Sequence, residues 1–273
     1  MQRGSWLFVR SGSGRLTIVV GYEYVPSLMR IATWNLERVR PGTGVRSQRI
    51  CDAIAGVDPD VWVLTESHAD FVPAPGYVRH AVSVDAPDRG GGERWVVIWV
   101  RAGVDTLPLA VTGEPERSAA VQINRPDRAP LLVFGTVLPW RGDKRRHDVR
   151  GGQAFARSLQ LQATDWAAAR ATVSGAELCI AGDFNQELGA DGPVGTRMGR
   201  DAFEGTLEAL GLSCVTGGVD DPLLARGWRT NIDHIILSRG LRADATAEIW
   251  PEHFPLSGKL SDHHGICVRV VDA

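Results

Sequence analysis

The sequence predicts a single domain that combines β-sheets with covering helices. Eight short runs rich in valine and isoleucine are interspersed with three longer stretches of helical periodicity. Several of the runs are apolar throughout, which is typical of strands that are buried on both faces. A chain of 273 residues is long enough to bury a large core and stays within the size of one domain.

The predicted strands are short and are bounded by Gly, Pro, Asp or Arg. They cover residues 30–36, 61–65, 95–100, 119–123, 131–137, 177–182, 232–238 and 266–271. The predicted helices carry apolar residues at spacings of three and four and cover residues 46–57, 152–173 and 201–212. Gly211 is the predicted stop of the last helix.

Four segments rich in Gly, Arg, Pro and Asp are predicted to be loops over one rim of the sheets. They cover residues 38–47, 85–94, 141–152 and 186–200. Long loops on a rigid scaffold are where binding groups usually lie. We therefore expect a functional site at this rim.

Residues 1–28 are predicted to be an extension outside the core, followed by one catalytic domain over residues 29–273. The extension has two apolar pieces, "WLFV" and "LTIVV", separated by "RSGSGR", and this break is unlike the apolar region of a signal peptide. Met29 directly precedes the first predicted strand, and we hypothesise that it is the biological start.

Cysteine usage and hydropathy indicate the cytoplasm, with no membrane association. Cys51, Cys179, Cys214 and Cys267 are scattered without a CxxC pair, so free thiols in a reducing compartment are expected. No apolar run reaches the ~18 residues that a membrane-spanning helix needs. The sequence gives no sign of an obligate protein partner.

The formal net charge of −2 excludes attraction of nucleic acid by the molecule as a whole. A local patch is present in "WRGDKRRHDVRGGQ", residues 140–153, although two aspartates dilute its charge. It is either a solvated loop or a clamp for a phosphate backbone, in which Trp140 stacks on a base. We predict that Trp140, Arg141 and Arg145 bind substrate.

Polar residues recur where the predicted strands begin or end. They are Asn35, Glu66, Asp183, Asn185, Asp233, Asp262 and His263. Each one alone is typical of a turn or a helix cap, but strand ends meet at the rims of a sheet, so these side chains can converge. Carboxylates with one histidine suit hydrolysis of a phosphate ester with a hard cation, Mg²⁺ or Mn²⁺.

Five motifs together resemble the endonuclease/exonuclease/phosphatase superfamily, which has the fold of DNase I and exonuclease III. They are "TWNLE" (33–37), "LTES" (64–67), "AGDFN" (181–185), "IDHI" (232–235) and "LSDHH" (260–264). The resemblance covers residues 29–271. It implies an α+β fold, a four-layer α/β/β/α sandwich in which helices flank two packed, mixed β-sheets.

The resemblance also implies a set of metal ligands. Glu66 matches the principal metal-binding glutamate of the superfamily, and Asn35 matches the asparagine beside the metal. Glu37 lies where some members have a second acidic ligand. Asp262 matches the acid next to the metal.

Four further residues match catalytic positions. Asp183 matches the acid that orients or activates the attacking water, and Asn185 matches the residue that contacts the scissile phosphate. His263 matches the catalytic histidine, and Asp233 matches the carboxylate that holds it.

Two other histidines next to these motifs are expected to be structural. His264 follows the catalytic position, and His234 should point to the opposite face of its strand from Asp233.

One position departs from the pattern. DNase-like members carry a histidine for the leaving group where this chain has Val137, and exonuclease III-like members use a tyrosine in that part of the site. The leaving-group partner stays open between a water on the cation and His147, Arg141 or Arg145.

The expected function is metal-dependent hydrolysis of phosphodiester bonds by in-line attack of water, with a nuclease as the first interpretation. The alternative is a phosphatase or phosphodiesterase that acts on a small phosphorylated molecule. A non-catalytic binding module on the same fold is less favoured, because such a module would be expected to lack one of these residues.

Overall fold

The structure is a computed structural model, and it describes residues 4–10, 16–22, 28–42, 44–87, 89–143, 149–189, 193–250 and 260–273. The strands are β1 (Gly4–Arg10), β2 (Leu16–Tyr22), β3 (Met29–Val39), β4 (Val61–His68), β5 (Tyr77–Val82), β6 (Glu93–Arg101), β7 (Thr106–Leu109), β8 (Ser118–Ile123), β9 (Leu131–Val137), β10 (Glu177–Asp183), β11 (Leu212–Cys214), β12 (Asp233–Ser238), β13 (Leu241–Ala243), β14 (Glu248–Trp250) and β15 (Gly265–Asp272). The helices are α1 (Val45–Ala55), α2 (Gly152–Thr172) and α3 (Arg197–Leu210).

All eight predicted runs form strands, because residues on both faces of each run are buried. In β3, Ile31 faces the space between the sheets, whereas Ala32 and Trp34 pack on the helix side. The unpredicted strands of the two main sheets lack this signature: β5 and β7 have partly exposed residues and lie at sheet edges. Strands β11, β13 and β14 have only three residues each.

Helix α3 begins at Arg197, earlier than the predicted residue 201. Thr196 caps this end, since its hydroxyl oxygen accepts a hydrogen bond from the Gly199 amide at 2.9 Å. The predicted stop is confirmed, because Gly211 ends the helix with a left-handed φ of 63°.

Two mixed sheets carry the site. The first has the order β13-β15-β3-β4-β6-β5, with β14 also paired to β15. The second has the order β11-β12-β10-β9-β8-β7. Pairs β3–β4 and β9–β10 are parallel, and the other pairs within these two sheets are antiparallel. Strands β1 and β2 form a separate antiparallel pair.

The layers are α1, the first sheet, the second sheet, and α2 with α3, which confirms the predicted four-layer sandwich. Valine and isoleucine from both sheets fill the space between them. Ile50 and Ile54 of α1 pack on the outer face of the first sheet. Phe155, Trp166 and Phe203 of α2 and α3 pack on the outer face of the second sheet.

The described residues include no helix with both the length and the apolar character that crossing a membrane requires. All four cysteines are free thiols, and Cys179 and Cys267 are buried. Burial raises the pKa of both buried thiols to about 12.

A glycine in β9 sets how closely the two sheets approach. A Cβ atom on Gly135 would clash with Val96 Cγ1 and would lie 3.0 Å from Val63 Cγ1, and both valines belong to the opposite sheet. Since close-packed interiors tolerate little added volume, this position requires a residue without a side chain.

Gly135→Ala is therefore expected to lower the free energy of unfolding by about 1–3 kcal/mol through overpacking. Gly205→Ala is the matched control, because Gly205 lies in α3 and a Cβ there would meet nothing within 4 Å. The control should raise stability by roughly 0.5–1 kcal/mol. Urea unfolding of both variants measures the contrast, and equal effects would contradict this account of the sheet spacing.

Candidate active site

The topology brings the predicted site residues to one rim. Strands β3 and β4 are parallel, so Asn35 and Glu66 lie near the same end of the first sheet. Strand β15 runs antiparallel to β3, which places its start, just after His263, beside the end of β3. In the second sheet Asp183 at the end of β10 is paired with Asp233 at the start of β12.

Amide groups fix the carboxylate of Asp183. Asn35 Nδ2 donates a hydrogen bond from the first sheet to Asp183 Oδ2 at 2.9 Å. The Asn185 backbone N–H donates to Asp183 Oδ1 at 2.9 Å, and Asn185 Nδ2 donates to Asp183 Oδ2 and to the Leu138 carbonyl at 3.0 Å each. The Glu37 backbone N–H donates to Asn35 Oδ1 at 2.9 Å, which orients the amide.

The Asp183 carboxyl is buried among other charges, and its pKa is raised to about 7. Burial is the largest cause, and the negative charges of Asp233 and Glu66 raise the pKa further. The positive charge of His263 and the hydrogen bond from Asn185 oppose the shift. This carboxyl can therefore take up and release a proton near neutral pH.

Asp233 and His263 form a hydrogen-bonded pair. His263 Nδ1 lies 2.6 Å from Asp233 Oδ2, and both side chains are largely buried. Burial alone would lower the His263 pKa, but the carboxylates of Asp233, Asp183 and Asp262 outweigh it and raise the pKa to about 10. At neutral pH the imidazole is therefore protonated, and its Nε2 lies 3.7 Å from Asp262 Oδ1.

Contacts to the first sheet hold the segment that carries His263. Trp34 Nε1 donates to the His263 carbonyl at 3.1 Å. Ser261 Oγ donates to the Asn35 carbonyl at 2.6 Å and accepts from the His263 backbone N–H at 3.1 Å. The backbone around His263 is thus tied to β3, the strand that also carries Asn35.

The Glu66 carboxylate lies against two arginines. Its Oε2 is 3.3 Å from Arg89 Nη1 and 3.6 Å from Arg38 Nε. Glu66 also acts on the pKa of Asp183, which places the two carboxylates within electrostatic reach of each other.

The side chains of the two remaining predicted metal ligands, Glu37 and Asp262, are more exposed to solvent than that of Glu66. Glu37 Oε2 is 3.7 Å from Arg46 Nη2. Arg46 also donates to the Leu260 carbonyl at 2.8 Å. The Asp262 side chain is half exposed, and its carbonyl accepts a hydrogen bond from Arg229.

Backbone strain is concentrated at this rim. Among the described residues, six non-glycine residues have a positive φ, and four of them are Glu37, Arg38, Glu66 and Asn185. Three of these four are predicted site residues. Left-handed backbone is unfavourable for residues with a Cβ, and it persists mostly where function requires it.

The donor atoms suit a hard cation, which prefers oxygen ligands. Asp183, Asp233 and His263 each place one ligand-type atom within 4.8 Å of the others, and Asp233 Oδ1 is buried without a hydrogen-bond partner. This cluster differs from the predicted metal set of Glu66, Asn35, Asp262 and Glu37. The two sets meet at the hydrogen bond from Asn35 Nδ2 to Asp183 Oδ2.

Two of the predicted substrate-binding residues are exposed next to the site. Trp140 is 58% exposed, and Arg141 is exposed beside it. They follow Leu138, whose N–H donates to the Asp183 carbonyl at 2.9 Å. Arg145, with His147, lies outside the described residues.

The leaving-group position is apolar. Val137 is fully buried, pairs in register with Asp183 and packs in the core between the sheets. Its side chain has no polar atom, so it cannot take the role that the resemblance gives to a histidine at this position.

The two neighbouring histidines are not members of the Asp183–Asp233–His263 cluster. The His264 ring stacks on Trp228 at 4.9 Å, and burial followed by the charge of Arg229 lowers its pKa to about 4. His234 faces the other side of β12, where its Nε2 lies 2.9 Å from the Gln186 carbonyl.

Sequence reasoning missed Arg89, Trp95 and Trp228. Arg89 lies in a segment that the sequence marked only as a loop, and its contact with Glu66 depends on how that loop folds back. Trp95 and Trp228 resemble ordinary core tryptophans in sequence. The sequence offers one signal for Arg89, which is its place directly before three consecutive glycines in "DRGGGER".

His263→Gln is expected to reduce the decline of stability with rising pH in chelator-treated protein, and the remaining decline comes from His234, whose pKa is raised to about 9. The His263 pKa of about 10 in the folded state exceeds its ordinary value of 6.5. The proton therefore stabilises the fold fully below pH 6.5, and this stabilisation is lost as the pH rises towards 10.

Urea unfolding of wild type and variant across this range measures the difference. His80→Gln is the control, because burial lowers the pKa of His80, so its effect on stability lies below pH 6.5 and the decline at higher pH should stay as in wild type. A wild-type decline that persists unchanged in His263→Gln would contradict the assignment.

Comparisons with known proteins place these features in a family. The sequence profile of the Endonuclease/Exonuclease/phosphatase family matches residues 32–263. No curated protein sequence matches the chain.

Three solved structures illustrate the likeness in fold. The endonuclease domain of TRAS1, a telomere-specific non-LTR retrotransposon, is 14% identical, with 89% of this chain and 98% of that chain covered and a TM-score of 0.60. The human Nocturnin catalytic domain is 16% identical, with 90% and 94% covered and a TM-score of 0.62. The mannosyl-6-phosphatase Bt3783 of Bacteroides thetaiotaomicron is 17% identical, with 89% and 99% covered and a TM-score of 0.61.

The TM-scores of these structures show a shared fold, and the profile match covers most of the sequence. The chain therefore belongs to the endonuclease/exonuclease/phosphatase family.

Proposed function

We propose that the protein is a divalent-metal-dependent phosphoesterase that hydrolyses phosphodiester bonds of nucleic acid by in-line attack of water. The observation that carries this proposal is the meeting of Asp183 with the Asp233–His263 pair at one rim of the sandwich. The family to which the chain belongs is a superfamily of phosphoesterases, which includes nucleases and phosphatases.

Asp183 orients the attacking water and accepts its proton. Its carboxylate is held by amide donors from both sheets, so its position is fixed before substrate binds. A pKa of about 7 suits a general base that works near neutral pH.

His263 donates a hydrogen bond to the charge that develops on the phosphoryl oxygens. Asp233 fixes the ring through Nδ1, which leaves Nε2 for the substrate. Because the imidazole is protonated below a pKa of about 10, it contributes a full positive charge at neutral pH. Asn185 is proposed to contact the phosphate beside it, which requires its Nδ2 to exchange the Asp183 carboxylate or the Leu138 carbonyl for a phosphate oxygen when substrate binds.

Glu66, Asn35, Asp262 and Glu37 are the proposed oxygen donors for Mg²⁺ or Mn²⁺. When bound, the cation supplies electrophilic stabilisation of charge on the phosphate. The fit is supported by the chemistry of these side chains, since three of them supply carboxylate oxygens and Asn35 supplies an amide oxygen.

Exposed groups beside the site support nucleic acid as the substrate. Trp140 presents an aromatic face, and Arg141 adjoins it on the segment that leaves β9. An exposed aromatic and a cation are the groups that bind single-stranded nucleic acid. We include Arg145 in this substrate-binding set and, given four free thiols, propose a reducing compartment such as the cytoplasm.

A small phosphorylated molecule is the alternative substrate. It is favoured by the net charge of −2 and by the engagement of several arginines near this rim in protein contacts. Arg40 pairs with Glu93 at 3.0 Å, Arg94 pairs with Asp85, and Arg46 binds backbone carbonyls. A polynucleotide needs several uncommitted cations, whereas a small ester needs one or two.

A substrate panel tests the proposed function. Purified protein is expected to hydrolyse bis-p-nitrophenyl phosphate and DNA or RNA with Mg²⁺ or Mn²⁺, and EDTA should abolish the activity. Asp183→Asn should lower turnover by about 10²–10⁴-fold, since it removes the proton acceptor.

Asp201→Asn is the matched control, because Asp201 is an exposed aspartate on α3. Its turnover should equal that of wild type. Full hydrolysis in EDTA, or an Asp183→Asn variant as active as the control, would refute the mechanism. Cleavage of inositol phosphates in preference to nucleic acid would select the alternative substrate.

Trp140→Ala is expected to weaken binding of single-stranded oligonucleotide by about 1–3 kcal/mol through loss of stacking. Trp140→Phe keeps an aromatic face and should retain most of the affinity. Fluorescence anisotropy with a labelled oligonucleotide measures both. Wild-type affinity in Trp140→Ala would show that the ring does not contact a base.

A further inference from the structure

A buried cationic cluster adjoins Glu66 on the side away from His263. Trp95 of β6 lies across from Glu66 of β4, between the register pairs Thr65–Val96 and Ser67–Arg94. The guanidinium carbon of Arg89 lies 3.4 Å from the Trp95 ring centroid, and that of Arg117 lies 4.3 Å from it. Two guanidinium groups thus share one indole ring.

Arg89 has unused hydrogen-bonding capacity. Its side chain is only 1% exposed, and its Nη1 lies 3.3 Å from Glu66 Oε2. Its Nε and Nη2 atoms are buried and have no hydrogen-bond partner among the described residues. Buried donors without partners are costly and rare in folded proteins, so this arrangement requires an explanation.

The two unused donors form one edge of the guanidinium plane. Nε–H and Nη2–H point in parallel, which is the fork that binds two oxygens of a phosphate or carboxylate at once. Arg89 therefore presents Glu66 with one amino group and retains a complete bidentate edge.

Arg117 and Trp95 hold this arginine between the two sheets. The Arg117 carbonyl accepts a hydrogen bond from the Val137 N–H at 2.9 Å, and Val137 is paired with Asp183. The Arg117 guanidinium forms an ion pair with Asp143. The cluster is therefore anchored to the strand beside Asp183 as well as to Glu66.

We propose that Arg89 is a substrate-contacting residue that binds the phosphate group through Nε and Nη2, with Trp95 and Arg117 orienting its plane. This inference rests on the proposed function, since it assigns a further contact to the same substrate. Arg89 supplies charge and not a proton, because a guanidinium stays protonated in proteins. It thereby adds positive charge to a site whose leaving-group position is the apolar Val137.

The covered edge of Arg89 requires a small movement before phosphate can reach it. The residue is followed by three glycines, Gly90 to Gly92, and φ is 59° at Gly91 and 85° at Gly92. Glycine backbone adopts such angles without steric cost, and the carbonyls of all three glycines lie in hydrogen bonds that hold the turn. The movement therefore has to come from rotation of the long Arg89 side chain.

Isothermal titration of inorganic phosphate in the presence of Mg²⁺ tests the contact without turnover. Arg89→Gln is expected to weaken phosphate binding by about 10- to 100-fold, the effect of losing a charge-assisted, bidentate contact. Arg89→Lys keeps the charge without the fork and should weaken binding by at least about 3-fold. Arg79→Gln is the matched control, since Arg79 is 40% exposed and pairs with Asp70.

Circular dichroism shows whether each variant is folded. If Arg89→Gln does not fold, the phosphate affinity of Arg89→Lys tests the proposal instead. Phosphate affinity within about 2-fold of wild type in the folded variants would overturn the proposal. Unchanged phosphate affinity together with tighter Mn²⁺ binding in the Arg89 variants would also overturn the proposal, because Arg89 would then only neutralise the charge of Glu66. Absence of phosphate binding by wild type would overturn it as well.

The experiments distinguish failure of the Arg89 contact from failure of the proposed function. If wild type hydrolyses no phosphate ester but its phosphate affinity still depends on Arg89, the phosphate contact stands and the catalytic proposal falls. If wild type is active and Arg89→Gln has an unchanged KM and phosphate affinity, only the contact is refuted.

Discussion

The hydrogen bond from Asn35 Nδ2 to Asp183 Oδ2 spans the two sheets, and the geometry of the whole site depends on the spacing that allows it. Asp183 and Asp233 belong to the second sheet, whereas Asn35, Glu66 and the segment before β15 belong to the first. Gly135 permits the close approach of these sheets deep in the core. The site is therefore a product of sheet packing, and neither half of the sandwich contains it alone.

Electrostatics at this rim are only partly balanced by the protein itself. Asp183 and Asp233 are buried carboxylates in register, and burying charge is unfavourable unless partners compensate. A protonated His263 and amide donors provide part of that compensation. Burial and the charges of Asp233 and Glu66 nevertheless raise the pKa of Asp183, so its charged form is only partly compensated.

The sequence predicted the central strands and the convergence of polar strand ends, because both follow from local patterns. Strands buried on two faces are continuous apolar runs, and residues at the ends of paired strands meet at one rim. Edge strands β5 and β7 were missed because their partial exposure leaves no such run. The position of Arg89 on Trp95 was also missed, since a loop conformation decides it and no periodicity reports it.

The same limit applies to the metal ligands. The resemblance assigns Glu66 and Glu37 to a cation. The sequence cannot show that Arg89 and Arg38 lie against Glu66. Nor can it show that Arg46 lies against Glu37. Those contacts join segments remote in the chain through long, flexible side chains. Their geometry is set by the packed sandwich and by the fold of the loops above it.

The left-handed backbone at Glu37, Glu66 and Asn185 has a consequence for stability. Each such residue costs roughly 1–2 kcal/mol relative to a glycine at the same angle. The fold therefore bears a thermodynamic penalty for presenting these three side chains at the rim, and a glycine at any of these positions would relieve part of it.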